Sequence, residues 1–112
     1  MHKDLRTAWL LLMIRDGASY GYELRRELAL RASHLDPAVM YRSLRDMERD
    51  SLIRSRWMES QAGPRRRVYE ITPAGRRELV QIAGAIAGAR DAHNAFLDEL
   101  EQRDGSQSSA PP

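Results

Sequence analysis

The sequence predicts a mostly helical chain with one β-hairpin, an α+β class. Three observations lead there. Apolar residues recur at helical spacing through three short segments in the first half. The period then switches to two on either side of "SQAGP", residues 60–64. A longer helical pattern follows from residue 73 to about residue 102.

Residues 4–16 read as a buried helix, apolar nearly all round at Ala8, Trp9, Leu11 and Leu12. "RDGAS" breaks it, with Gly17 as the C-terminal cap. Ser19 can cap a second helix, "YGYELRRELALR", in which Tyr20, Leu24 and Leu28 recur every four residues. Gly21 in its first turn disfavours helix, so close packing against a neighbour is expected there. Asp36-Pro37 marks the next start, an N-cap followed by proline at the first helical position. This third helix runs to about Asp50, with Met40, Leu44 and Met47 towards the core and Arg42, Arg45 and Arg49 on the other side.

In "LIRSRWME", Ile53, Ser55 and Trp57 share one face, and "RRRVYEIT" alternates in turn. Two such runs around a glycine-containing loop make a hairpin whose tip carries Arg65, Arg66 and Arg67. Thr72-Pro73 starts the last helix by the same device as Asp36-Pro37. "RDGSQSSAPP", residues 103–112, has nothing to bury and is expected to be disordered. Helix, helix, helix, hairpin and long helix spell a winged helix-turn-helix over residues 1–72, with a C-terminal dimerisation helix over residues 73–102.

The totals narrow the function. A chain of 112 residues allows one domain with a modest core and no deep enzyme cleft. It has no cysteine, which excludes disulfides, thiolate metal sites and thiol redox sensing. "AWLLLMI", at seven residues, falls far short of a bilayer span of about 20. No signal-peptide pattern opens the chain, so a cytoplasmic protein is expected. The net charge is only +2, but residues 1–80 carry +5 and residues 81–112 carry −3. A basic body points to a polyanionic partner. His2, His34 and His93 are scattered and form no ligand spacing, so neither a metal, a cofactor nor enzymatic catalysis is expected.

Three arginines at a hairpin tip repel one another and gain nothing from folding; phosphates would neutralise them. The third helix supplies a second basic strip. In a winged helix that face enters the major groove while the wing reaches the flanking backbone. The planar guanidinium grips phosphates and guanine edges alike. The expected double-stranded-DNA contacts are Val39, Tyr41, Arg42, Arg45, Arg49, Arg65, Arg66 and Arg67. Asp46, Glu48 and Asp50 intersperse acid among the helix arginines and weigh against that reading.

In the last helix Leu79, Ile82, Ile86, Ala89, His93, Phe96 and Leu100 follow intervals of three and four, a heptad seam for a homodimer interface. Gly84 and Gly88 lie one turn apart in it and either allow a second helix to approach closely or widen a cavity beside the helix.

The chain resembles the PadR-like transcriptional regulators in their short form. The likeness rests on "LLLMIRDGASYGYELRREL", "LDPAVMYRSLRDMERDSLI" and "ESQAGPRRRVYEITPAGRREL", and covers residues 5–80 closely. Gly17, Gly21-Tyr22-Glu23-Leu24, Pro37, Tyr41-Arg42, Leu44, Gly63-Pro64-Arg65, Tyr69, Thr72 and Ala74-Gly75-Arg76 follow the family spacing. The resemblance implies a dimeric winged-helix repressor acting on a palindromic operator, joined through its first and last helices. It also implies a small apolar or aromatic effector at that interface, with Trp9 and Phe96 as the candidate contacts. Three positions depart from the family. Asp36, Ala38 and Val39 stand where Ser or Thr, Gly and Thr are usual, so phosphate contacts from small hydroxyls at the helix start are missing. Two alternatives remain open: a winged-helix interaction module partnering another regulator, and a reader of structured RNA.

Overall fold

The computed structural model describes residues 3–17, 20–32, 36–59 and 62–108. The order is α1 (Lys3–Arg15), α2 (Gly21–Arg31), α3 (Pro37–Arg49), β1 (Ile53–Met58), β2 (Arg66–Ile71) and α4 (Pro73–Ser108). The chain divides into two compact units, Met1–Ile82 and Ala83–Pro112.

In the first unit, Leu10 and Leu11 of α1 are fully buried, with Met13 and Ile14 beside them. Gly17 ends α1 at φ 109°, a left-handed conformation that glycine adopts without steric cost. Leu24 and Leu28, one turn apart on α2, seal against this face. The N-cap of α2 is Tyr20, whose side chain makes no cap hydrogen bond. Ser19, the expected cap, lies outside the described residues.

Asp36 caps α3 as its sequence requires: Oδ1 accepts from the Ala38 N–H at 2.9 Å, and Pro37 occupies the first turn. Met40, Ser43, Leu44 and Met47 form the buried stripe of α3. Each fully buried Leu or Met contributes about 1.5–3 kcal/mol. The Ser43 hydroxyl donates to the Val39 carbonyl (3.0 Å) and accepts from Arg6 Nε (2.8 Å), which ties α1 to α3.

α3 ends at Arg49 with Asp50 as its C-cap, as the sequence predicts; the closure beyond it was not foreseen. Ser51 sits at φ 62°. Its N–H donates to the Glu48 carbonyl (3.0 Å), and the Leu52 N–H donates to the Met47 carbonyl (2.9 Å). This is a Schellman closure with serine where glycine is usual. The strands pair antiparallel from Ile53 opposite Ile71 to Met58 opposite Arg66. Tyr20 adds a single bridge to Val68.

Thr72 starts α4. Its Oγ1 accepts from the Gly75 N–H (3.0 Å) and donates to the Ser51 carbonyl (2.6 Å), with the Leu52 carbonyl 3.0 Å away. Ile82 is buried and Leu79 half-buried, both packed on the core of this unit.

In the second unit α4 continues to Ser108, six residues beyond the expected end at Gln102. Arg103 pairs with Glu99 one turn back at 3.1 Å, and no proline intervenes before Pro111. Of the tail expected to be disordered, residues 109–112 lie outside the described residues. No helix among the described residues is long and apolar enough to cross a membrane.

Candidate nucleic-acid interface

The outer face of α3 follows from its inner one. With Met40, Leu44 and Met47 turned inward, the 3.6-residue period leaves Arg42, Arg45 and Arg49 exposed. Among the described residues Arg42 and Arg45 have neither a hydrogen bond nor an ion pair. Arg49 differs: its guanidinium lies 3.4 Å from Asp46 and 3.7 Å from Asp50. Such exposed pairs are worth at most about 1 kcal/mol, so Arg49 stays available to a stronger anion. Val39 is half-buried at the N-terminal end of α3. Asp36, spent on the helix cap, leaves its charge at that end.

Tyr41 does two things. A Cβ on Gly21 would lie 3.2 Å from its hydroxyl and 3.3 Å from its ring, so a side chain at position 21 would push the Tyr41 ring outwards by a few tenths of an ångström. Its other side lines a groove of 370 Å³ shared with Leu44, Arg45, Glu48, Arg67 and Tyr69. Burial is the main cause that raises the Tyr69 phenol pKa above its ordinary range; the charges of Glu48 and Tyr41 add to it, and Arg67 opposes it.

The three wing arginines are not equivalent. Only Arg65 belongs to the turn, because the register puts Arg66 opposite Met58 and Arg67 opposite Trp57 within the ladder. Nor are they left to repel one another. The Arg66 guanidinium stacks over Tyr20 (5.7 Å) and Tyr22 (5.4 Å), and those two rings stack on each other at 5.8 Å. Arg65 and Arg67 approach the Trp57 ring at 5.5 and 5.2 Å. Arg67 Nη2 also meets Glu48 Oε2 at 3.4 Å, and its Nε donates to Ser55 Oγ at 2.9 Å. The sequence reading missed Tyr20, Tyr22, Glu48, Ser55 and Trp57 as partners. The one signal available was the cross-strand position of Trp57 relative to Arg67.

The seam on α4 divides. Leu79 and Ile82 serve the chain's own core, whereas Ile86, Ala89, His93, Phe96 and Leu100 are exposed, Phe96 to 64%. A Cβ on Gly84 or Gly88 would meet nothing within 4 Å. The two aromatic candidates for an effector fall in different units. Trp9 in the first is half-buried against the core, with the Arg31 guanidinium 5.6 Å from its ring centre; Phe96 lies in the second.

A helix-turn-helix whose second helix presents exposed arginines, followed by an aromatic-braced basic hairpin, is the architecture of a winged helix-turn-helix protein. The model of the transcriptional regulator PadR-like family matches residues 10–81, and the chain belongs to that family. A probable transcriptional regulator from Mycobacterium tuberculosis, Rv1176c, is 30% identical over 99 residues, covering 85% of this chain; the chain spans only 52% of that relative's length. The crystal structure of a PadR family transcription regulator from Clostridium difficile superposes with a TM-score of 0.75 at 27% identity, covering 82% of this chain and 97% of that one. A PadR-like regulator from Bacillus cereus gives 0.71 at 26% identity, over 81% and 89% of the two chains.

Proposed function

We propose that the protein is a homodimeric, ligand-responsive repressor that reads a palindromic duplex-DNA operator. One observation carries the reading. Arg42 and Arg45, without a side-chain partner among the described residues, lie on the exposed face of the helix that winged-helix regulators place in the major groove, and Arg65 stands at the turn of the wing in the same fold. Arg42 and Arg45 face base edges, with Val39 and Tyr41 beside them. Arg49, Arg65 and Arg66 meet phosphate, and each neutralised phosphate releases counterions. The exposed part of the α4 seam, from Ile86 to Leu100, pairs with a second copy. Trp9 and Phe96 are the aromatic contacts for an apolar effector. The protein binds and releases without catalysis, in the cytoplasm.

Selection of bound fragments from random duplex DNA tests this. The expected result is an inverted repeat with half-sites about one helical turn apart. No enrichment of any duplex, or retention of structured RNA alone, would overturn it. One observation favours the interaction-module alternative: the Asp36 carboxylate stands at the start of α3, where phosphate would approach, and already serves the Ala38 N–H. In that case the same selection yields nothing, and a partner regulator covers the α3 face instead.

A further inference from the structure

Glu48, Ser55 and Arg67 come from α3, β1 and β2, and close into a ring. The Ser55 hydroxyl donates to Glu48 Oε1. Arg67 Nε donates to that same hydroxyl oxygen at 2.9 Å, while Arg67 Nη2 donates to Glu48 Oε2 at 3.4 Å. Behind the guanidinium stands the Trp57 ring, 5.2 Å away and directly across the ladder. Each member is half-buried, and each touches the other two.

This ring joins the two elements that the DNA-binding reading needs to hold at a fixed angle. The recognition helix and the wing are linked in sequence only through residues 50–52. At its base the hairpin is held by the Leu52 N–H bond to the Met47 carbonyl and by the burial of Ile53 and Tyr69; a side-chain contact between α3 and both strands adds a restraint further out along the wing. The ring also removes Arg67 from the pool of free cations. A phosphate approaching Arg67 meets the Glu48 carboxylate at the same guanidinium edge, and like charges at that range repel. Arg65, which has the Trp57 ring but no carboxylate partner among the described residues, faces no such competitor there.

We propose that the Glu48–Ser55–Arg67 ring sets the angle between α3 and the wing, so that Arg67 is a positioning residue and not a phosphate contact. The proposal rests on the DNA-binding reading above and divides the labour among the three wing arginines.

Glu48→Ala, Arg67→Ala and the double variant test it, with duplex affinity measured across a salt series. The expected result is a loss on the order of tenfold for either single variant, comparable to one misplaced contact. The double variant is no weaker than either single one, and the log–log salt slope keeps its wild-type value. A phosphate-binding Arg67 gives the opposite signs: Arg67→Ala flattens the slope by about 0.9, and Glu48→Ala tightens binding because a competing anion is gone. Either outcome overturns the proposal. Hydrogen exchange of the β1 and β2 amides in the unliganded proteins reads the ring without DNA. Both variants should exchange faster than wild type by the same factor, and unchanged exchange also overturns the proposal. If the wild-type chain binds no duplex, the functional reading falls, while the exchange comparison still decides whether the ring holds the wing.

Discussion

A Cβ at Gly75 would lie 2.1 Å from the carbonyl oxygen of Leu52, with the Ile71 side chain 2.8 Å away on the other side. That oxygen cannot retreat, since it already accepts from the Thr72 N–H at 3.1 Å. The first turn of α4 is therefore pressed onto the α3–β1 turn with no space for a side chain.

Gly75→Ala should destabilise the winged-helix unit despite alanine's better helix propensity. Overpacking of this kind costs about 1–3 kcal/mol, against about 1 kcal/mol gained from propensity. Urea denaturation followed by circular dichroism gives the sign. A midpoint equal to or above the wild type's would show that the two turns can separate freely.

Ser51 holds φ 62° without being glycine. A left-handed residue with a side chain costs roughly 1–2 kcal/mol, so Ser51→Gly should raise the denaturation midpoint. The gain is trimmed by the greater freedom of glycine in the unfolded chain, about 0.5–1 kcal/mol. Ser51→Val, β-branched at the same φ, should lower the midpoint. The order Gly above Ser above Val is the expected result; Val at or above Ser would contradict it.

Arg42→Ala or Arg45→Ala should cost about 1–3 kcal/mol on the selected operator and relax its base preference. On random duplex the loss should be smaller. Competition binding against mismatched operators measures both. Equal losses on operator and random DNA would reassign these arginines to the phosphate backbone.

Tyr69 couples stability to high pH. Burial, chiefly, raises its folded pKa above the unfolded value, with Arg67 opposing. Between those two values the folded chain keeps a proton that the unfolded chain has released. Stability is therefore intact below about pH 10 and falls as pH rises through the folded pKa. Urea midpoints of wild type and Tyr69→Phe between pH 8 and 11 check the sign. The phenylalanine variant should lose less stability over that span; parallel curves would show that Tyr69 ionises as it does in the unfolded chain.

Phe96→Asp or Leu100→Asp should convert the proposed dimer to monomer without altering the circular dichroism of the winged-helix unit, because both side chains are exposed within one chain. Sedimentation equilibrium reads the change. Leu79→Asp, directed at the chain's own core, should instead lower the unfolding midpoint. Wild-type protein that sediments as a monomer at all concentrations would remove the seam from consideration.

What the sequence determined by itself is what neighbours in sequence decide. Asp36-Pro37 and Thr72-Pro73 begin their helices because each cap reaches an N–H two or three residues on. Gly17 ends α1 through its own φ. Met40, Leu44 and Met47 declare one face of α3 through the helical period, and that leaves the arginine face by subtraction. The heptad in α4 could be read the same way, but not its division. Only packing on the buried core cluster decides that Leu79 and Ile82 belong to the chain's own core. The close fit of Gly75 against Leu52 and the union of Glu48 with Arg67, 19 residues apart, likewise depend on how elements meet. The sequence pattern treated Arg65, Arg66 and Arg67 as one cluster of charge. The register of two strands and the approach of α2 and α3 separate them: Arg66 goes to Tyr20 and Tyr22, while Arg65 and Arg67 share Trp57 and only Arg67 of that pair adds Glu48 and Ser55, because a side chain's charge acts over distances in space that its place in the chain does not record.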